Sequence, residues 1–548
     1  MNHPALTLII GIFVLIVSYK SDRIFKVVAI LTPIATLFSI FIAPSYITLE
    51  LFKGIIICDG SIHNNLIGSA FCAVLFAGNL YAIGQKKQFE LITGNFYGAS
   101  TLICLFAGDF ISMYIGLEMM MLFSTAIIFK GGSSTSIRSA KKYFLTHLTS
   151  SSLILLGIIH IVSISKSLAL INITALLGDA QYSHIVISLM LLGMLINIAA
   201  MPFSGWMANY YLEASSSGFI YLISFTTKVS VILLLKLFAS FYVLKYIGAA
   251  MIFYAMYKAI FEKNIFKTLC YLSIMSMGLM IMGISIGSRE AVAAVICYLF
   301  IHILYKLVLT VCASCIADNA GIYNWSDLGK INSRVIIIAS SIGVVMMIAL
   351  PINIASLAYQ IKLMVAGLLQ NEIFYILPPL VTFATVYLLP WSSLFSKHEM
   401  PTITLGNYTK ASLAFITILL IIINLYGLEL ISLVNSTSQT PVSIFSTDCL
   451  KQIFIIFLGI YLSIQYKIKK IHTESLNLIE QLGIIFSKYY IIWTKNKKAE
   501  NCESYAFLSL EYQIINKLAA IHNQKTAVFI IFTFFLTILF VLYLNILI

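Results

Sequence analysis

Apolar residues run along this chain in long blocks, with polar residues confined to short gaps between them. Runs of spanning length fall at about 4–20, 27–49, 66–84, 95–112, 112–131, 143–165, 183–201, 216–243, 247–262, 268–287, 291–316, 333–369, 376–396, 408–434, 451–466 and 525–547. A helix needs about 20 apolar residues to cross a bilayer, so the pattern predicts an all-α integral membrane protein, a polytopic bundle of about 14–16 transmembrane helices. The two runs that meet near Asp109 need a tight turn between them. The 333–369 run is too long for one straight span, and Pro351 and Asn353 in its middle predict a broken helix. Broken backbone is tolerable in lipid only when buried in protein or lining a polar cavity. The first run, Ala5 to Tyr19, lacks a basic n-region and an A-x-A cleavage site and is expected to be a retained helix, not a signal peptide.

Composition excludes the soluble alternative. Of the 548 residues 60% are hydrophobic and 10% charged, with a mean hydropathy of +0.98, whereas a soluble domain carries about 25% charged residues. The net charge is +13, from 34 Lys and Arg against 21 Asp and Glu. That excess falls mostly in the gaps between apolar runs, where a positive-inside bias puts it, so no nucleic-acid partner is implied. Lys20, Arg23 and Lys26, then Lys86 and Lys87, then Lys130, Arg138, Lys141 and Lys142 are each two helices apart. They share one side, expected to be cytoplasmic. Nine cysteines are scattered; Cys312 and Cys315 form a CxxC with no second pair, and all read as small packing residues. From Tyr466 to Gln524 charged and apolar residues are mixed, as in an amphipathic helix along the membrane or against a partner; a loosely ordered cytoplasmic loop is the alternative. A last span follows from about Thr526. No Walker A, GxGxxG after a strand, HExxH or GxSxG occurs, so ATP-driven pumping by this chain and a bound cofactor are not expected.

The ionisable residues inside the spans carry the chemistry. Each is expensive, roughly 2.5 to 3.5 kcal/mol on insertion scales, and marks an ion or proton pathway by default. Glu118 lies in GDFISMYIGLEMMMLF with no charge nearer than Asp109; such a carboxylate must take a proton or find a cation. Lys228 and Lys236 lie in FTTKVSVILLLKLFAS. Burial disfavours a charged lysine and a nearby carboxylate restores it, so a Glu–Lys pair can act as a proton switch. Lys236, nearer the helix end, can instead snorkel to the interface. His302 and Lys306, spaced i, i+4 in CYLFIHILYKLVLTVC, project from one helical face and suit a proton relay. Lys258, Glu262, Lys263 and Lys267 form a denser group at a helix junction, part of it ordinary loop charge. Lys362 stands beside the break in the 333–369 run, a position suited to a hydrated site. His147 and His160 read as packing histidines. Ionisable groups thus recur on successive helices between Glu118 and Lys362, a polar chain across the membrane plane.

Five segments appear in a telling order: GDFISMYIGLE (108–118), SAKKYFLTHLTSSSLILLGI (139–158), PFSGWMANYYLEASSSGFIYLISFTTKVSVILLLKLF (202–238), NIFKTLCYLSIMSMGLM (264–280) and HILYKLVL (302–309). They resemble the proton-pumping membrane subunits shared by respiratory complex I and the multisubunit Mrp-type cation/proton antiporters. The run from Glu213 to Lys228 is most similar to the D subunit of the Mrp antiporter. The resemblance covers roughly 95–365. It implies two inverted five-helix repeats with broken helices, a hydrated axis of Lys, His and Glu, and assembly with other membrane subunits. By motif position Glu118 matches the family's glutamate on the fifth helix, and His302 and Lys306 its HxxxK helix. Lys267 matches one of two adjacent basic residues, and Lys362 the lysine after the second broken helix.

There are departures. The lysine that usually partners the glutamate, five residues before the Pro of PFxxW, is Asn197; the slot beside Lys267 is Phe266; the usual Asp of that motif is Asn264. WLPDA reads Trp206, Met207, Ala208, Asn209, Tyr210, the paired prolines reduce to Pro351, and no charge is obvious in 381–396. Either Lys228 replaces the missing partner or Glu118 stays protonated and the first half-channel no longer pumps. The expected organisation is N-terminal helices 1–94, a proton-translocating core 95–370, C-terminal helices 371–466, a lateral segment 467–525 and a final helix 526–548. The expected function is that of a subunit of a Na+/H+-type antiporter in a bacterial inner membrane. Protons would pass from Glu118 by Lys228, Lys267, Lys306 with His302, and Lys362, with monovalent cations moving in the opposite direction. The alternatives are a redox-driven complex I or hydrogenase pumping arm and a transport-inactive assembly subunit.

Overall fold

The computed structural model of the chain describes residues 3–42, 46–49, 55–351, 356–369, 374, 376–388, 401, 403–435 and 447–468. Everything expected beyond Ile468, the lateral segment and the last span, lies outside the described residues, as does 389–396. The helices are α1 (Pro4–Val17), α2 (Asp22–Ile42), α3 (Ile62–Gly84), α4 (Gln88–Leu105), α5 (Phe110–Phe129), α6 (Ser134–Ser165), α7 (His184–Asn197) and α8 (Gly205–Tyr210). They continue as α9 (Ser216–Ser224), α10 (Thr226–Phe238), α11 (Val243–Phe261), α12 (Ile265–Ile286), α13 (Arg289–Ala320) and α14 (Arg334–Met347). The last are α15 (Ser356–Leu368), α16 (Leu377–Leu388), α17 (Asn407–Leu425), α18 (Gly427–Asn435) and α19 (Thr447–Ile468). Nine helical stretches among the described residues are long and apolar enough to cross a membrane, and five shorter apolar helices join them, meeting the lower end of the expected number of spans.

Three local expectations change. The 27–49 run is not one span: α2 stops at Ile42, and Tyr46–Leu49 pairs antiparallel with Ile55–Asp59 as the hairpin β1–β2. Tyr, Ile and Thr suit a strand better than a helix end. The 216–243 run is interrupted at Phe225 (φ −108°, ψ −71°), which separates α9 from α10. The 408–434 run is two helices, α17 and α18. The turn expected near Asp109 is present, and Asp109 caps α5 by accepting from the Ser112 N–H at 2.7 Å. The break expected near Pro351 is also present: α14 ends at Met347 and α15 begins at Ser356.

Close approach of helices depends on glycines. A Cβ on Gly248 of α11 would stand 2.4 Å from the Gly278 carbonyl oxygen of α12, and one on Gly278 would stand 2.7 Å from the Gly248 oxygen. These helices cross backbone to backbone. The Tyr221 ring of α9 enters between α3 and α4 where Gly78 and Gly94 leave room, and its hydroxyl donates to Asn79 Oδ1 at 2.8 Å.

The chain repeats itself at a constant offset. The Phe110 N–H donates to the Leu168 carbonyl (2.9 Å) and the Leu170 N–H to that of Gly108 (3.0 Å); Ile265 and Tyr323 (2.8 Å), then Trp325 and Lys263 (2.9 Å), make the same two bonds. Between them lie α6 and α13, each 32 residues long and starting and ending at the same offset. Each is followed by a 14-residue helix, α7 or α14, with an alanine at positive φ just past its end, Ala199 (61°) and Ala349 (57°). There the Ala200 N–H reaches back to Leu195 O and the Leu350 N–H to Val345 O, the 6→1 closure of a left-handed helix stop. One repeat is α4, α5, α6, the broken pair α7–α8 and α9–α10; the other is α11, α12, α13, the broken pair α14–α15 and α16. Five crossings per repeat make the second enter from the opposite face, so the repeats are inverted.

Candidate functional site

Four of the expected residues converge. Lys228 (α10) and His302 (α13) are fully buried, and Lys306 and Lys362 are 2% and 4% exposed. His302 is in electrostatic contact with Lys228, Lys306 and Lys362, and Lys228 with Lys306. The Lys228 ammonium donates to the Ile223 carbonyl (2.6 Å) and to Thr227 Oγ1 (3.2 Å). That carbonyl lies just before the interruption at Phe225, so the break supplies the acceptor. Lys306 donates to Leu269 O of α12 at 3.1 Å. Lys362 of α15 donates to Thr382 Oγ1 of α16 at 3.2 Å, and Gln452 of α19 donates to the same hydroxyl at 3.1 Å and to Ala349 O, at the stop of α14, at 3.3 Å. The His302 Nδ1 and the Tyr305 hydroxyl are 2.7 Å apart, and Nε2 has no hydrogen-bond partner.

Lys267 is half-buried at the start of α12, within electrostatic reach of Cys270, which Lys228 and Lys306 also reach. No carboxylate among the described residues is in electrostatic contact with Lys228, Lys306 or Lys362. Like charges in a low-dielectric interior repel, so charging one of these lysines raises the cost of charging the next.

Glu118 is placed differently. It is half-buried on α5 between Ser151 of α6 and Tyr114, and its Oε1 has no hydrogen-bond partner. Lys228 does not take the vacant partner's place: its ammonium donates to Ile223 and Thr227, and among the described residues Glu118 forms no ion pair. Where the lysine was expected, the Asn197 side chain holds His147 instead, Oδ1 to Nδ1 2.8 Å. His147, read from sequence as packing, also lies against the rings of Tyr143 and Trp206 (centroids 4.3 and 4.5 Å). Beyond it Tyr143, Tyr211, Tyr97 and Thr226 form a buried hydroxyl cluster, with Tyr97 and Thr226 hydrogen-bonded to each other. Thr226 is the sequence neighbour of Thr227, whose hydroxyl accepts from Lys228.

Two other candidates have structural places. Lys236 donates to the Leu105 and Ala107 carbonyls at the end of α4 (2.9 and 3.1 Å) and pairs with Asp59 of β2 at 3.4 Å, fastening the hairpin to the bundle. Glu262 does not pair with Lys258; its Oε1 accepts from the Lys263 and Asn264 N–H groups, both at 3.0 Å. His160 Nε2 accepts from the Ser183 N–H at 2.7 Å, across the loop between α6 and α7. Eight cysteines are buried and free of disulfides, and the ninth, Cys502, lies outside the described residues. Burial pushes the Cys58 thiol in the hairpin up to about 11. Among the described residues no group of three or more His, Cys, Asp and Glu could hold a metal ion.

A row of polar residues runs along α13 from the basic cluster towards its C-terminal end. His302, Lys306, Thr310, Ser314 and Asp318 recur every fourth residue along α13, so they form one stripe. All but Asp318 are buried, and Thr310 Oγ1 has no partner. Asp318 accepts from Ser216 (2.5 Å) and Tyr81 (2.7 Å) and lines a polar cavity of about 280 Å³ with Ser215, Ser217, Gln85, Lys87 and Asn264. The cavity opens at the side of the bundle where Lys86 and Lys87 connect α3 to α4.

Fold and site together define a polytopic membrane protein with an inverted repeat and a row of buried, mutually repelling bases. The model of the NADH:quinone oxidoreductase/Mrp antiporter transmembrane family matches residues 107–386, half of the chain, and this chain belongs to that family. It is 26% identical over 329 residues to NADH-quinone oxidoreductase subunit N of Methylobacterium nodulans, covering 56% of this chain and 68% of that protein. It is 21% identical over 214 residues to the D subunit of a Na(+)/H(+) antiporter from Alkalihalophilus pseudofirmus, covering 37% of this chain and 43% of the relative. A chain of the Mrp complex from Dietzia sp. superposes with a TM-score of 0.70 at 14% identity, over 84% of this chain and 99% of the other, and so shares its fold.

Proposed function

We propose that this chain is a proton-translocating subunit of a multisubunit membrane complex in a bacterial inner membrane, and that it works as part of a monovalent cation/proton antiporter of the Na+/H+ type. The observation that carries the reading is the convergence of Lys228, Lys306 and Lys362 on His302, with no carboxylate among the described residues to pin their charge. A proton enters from the polar cavity at Asp318, steps along Ser314 and Thr310 to Lys306, and is passed among Lys228, His302 and Lys362, with Lys267 at the mouth setting the local potential. Glu118 handles protons at the other end of the hydroxyl cluster. Similarity to the D subunit of the antiporter supports the cation-coupled form. A second reading, a pumping arm driven by electron transfer in partner subunits, is favoured by the longer and closer match to subunit N.

The test uses Lys306→Met and Glu118→Gln in the assembled complex. In everted vesicles each is expected to abolish sodium-dependent pH change while the complex still co-purifies. Native exchange in both variants would refute the axis.

A further inference from the structure

The repeat offset that relates α6 to α13 sets His147 on His302 and Ser151 on Lys306. Both histidines are buried (4% and 0% exposed), both have Nδ1 held by a neighbouring side chain, and both have an Nε2 without a hydrogen-bond partner. Asn197 Oδ1 can only accept, so the bond at 2.8 Å puts the neutral ring's proton on Nδ1 and leaves the Nε2 lone pair open. An aromatic wall of Tyr143 and Trp206 fixes the ring plane.

The two repeats differ one turn on. His302 has Lys306 there; His147 has Ser151, whose hydroxyl donates to Leu148 O (3.1 Å) and lies beside the Glu118 carboxylate. A hydroxyl can take a proton from one group while giving its own to another, so Ser151 can connect Glu118 to His147. The titratable groups around the ring are Tyr143 on its own helix, Tyr211 beyond Trp206 and Glu118 through Ser151.

We propose that His147, held by Asn197 at the position where the family carries its lysine, is the proton-carrying residue of the first repeat, exchanging protons with Glu118 through Ser151. The inference rests on the proton-translocating reading above. The transfer requires the Ser151 hydroxyl to turn from Leu148 O to His147: the Nε2 lone pair then takes the Ser151 proton as the Ser151 oxygen takes the Glu118 carboxyl proton, leaving the carboxylate anionic and the imidazole cationic. No oxidant or further reactant is needed.

The experiment measures cation-dependent pH change in everted vesicles holding the assembled complex. His147→Gln keeps a side chain able to bond Asn197 and cannot carry a proton; a drop of at least tenfold is expected. Adding Asn197→Lys to that variant restores the lysine site and is expected to recover most of the rate, which a packing role would not allow. If His147→Gln does not assemble, His147→Asn is used with the same rescue. Native rates in the assembled histidine variant, or a loss that Asn197→Lys fails to restore, overturn the proposal. Lys306→Met is run beside them: if it is inactive while His147→Gln is native, only this inference falls, and if both are native the translocation reading falls as well.

Discussion

Asp109 and Asn264 cap equivalent helices of the two repeats, and only one of them is ionisable. Asp109 is fully buried in the loop before α5, where it accepts from both the N–H and the hydroxyl of Ser112 at 2.7 Å. Burial pushes its carboxyl up to about 6 in spite of those bonds, which pull the other way. A value raised above the ordinary range of about 4 means that the folded chain binds a proton more tightly than the unfolded one. The favourable contribution is full below about pH 4 and is lost as pH rises through 6. Asp109→Asn keeps an acceptor for the cap, as Asn264 does when it accepts from the Lys267 N–H at 3.1 Å. At pH 7 the variant is expected to be more stable than the parent by about 1–2 kcal/mol, with the gap closing towards pH 4. Thermal unfolding of the detergent-solubilised complex at the two pH values reads this directly. A lower midpoint at pH 7 would mean that the charged bonds to Ser112 outweigh the burial.

At the scale of elements, α13 makes the sharper prediction because its stripe has no equal in α6. The positions after His147 and Ser151 are Leu155, Ile159 and Ser163, so the first repeat lacks the polar steps that Thr310 and Ser314 provide. Thr310→Val keeps shape and deletes one buried hydroxyl whose oxygen has no protein partner. Removing an unsatisfied polar atom costs the fold little or stabilises it, while an apolar side chain there would interrupt the proposed route along α13. Proton flux is therefore expected to fall about tenfold, equivalent to roughly 1.4 kcal/mol in barrier, with unchanged or higher thermal stability. Equal losses of both would make Thr310 a packing residue. The stripe was half legible from sequence: His302 and Lys306 stood out because charge in an apolar run is conspicuous, whereas Thr and Ser are common inside spans. The break at Pro351 was legible from the proline, but that at Phe225 carries neither Gly nor Pro. The bond between His147 and Asn197 was not legible because Asn197 reaches it from another helix, nor was the partner of Lys236, because Asp59 sits in a hairpin hidden within an apolar run.

For the whole molecule, what drives the protons is separable from the path they take. The proposed path lies within the two repeats; in an electron-driven pump the force would come from partner subunits, and in an antiporter a cation route would run in contact with this axis. The two drives differ in what a sealed membrane must contain. In proteoliposomes with the purified complex, an imposed sodium gradient moves protons without any electron donor if the complex is an antiporter, and Lys306→Met removes that movement. A redox-driven complex stays silent to sodium and acidifies only when an electron donor and a quinone are supplied together. Substituting potassium or lithium for sodium then separates a selective cation site from a general response to charge. Proton movement is expected with sodium alone. Silence towards all three cations, followed by acidification on adding donor and quinone, would move the chain to the redox-driven side of its family while leaving the buried axis intact.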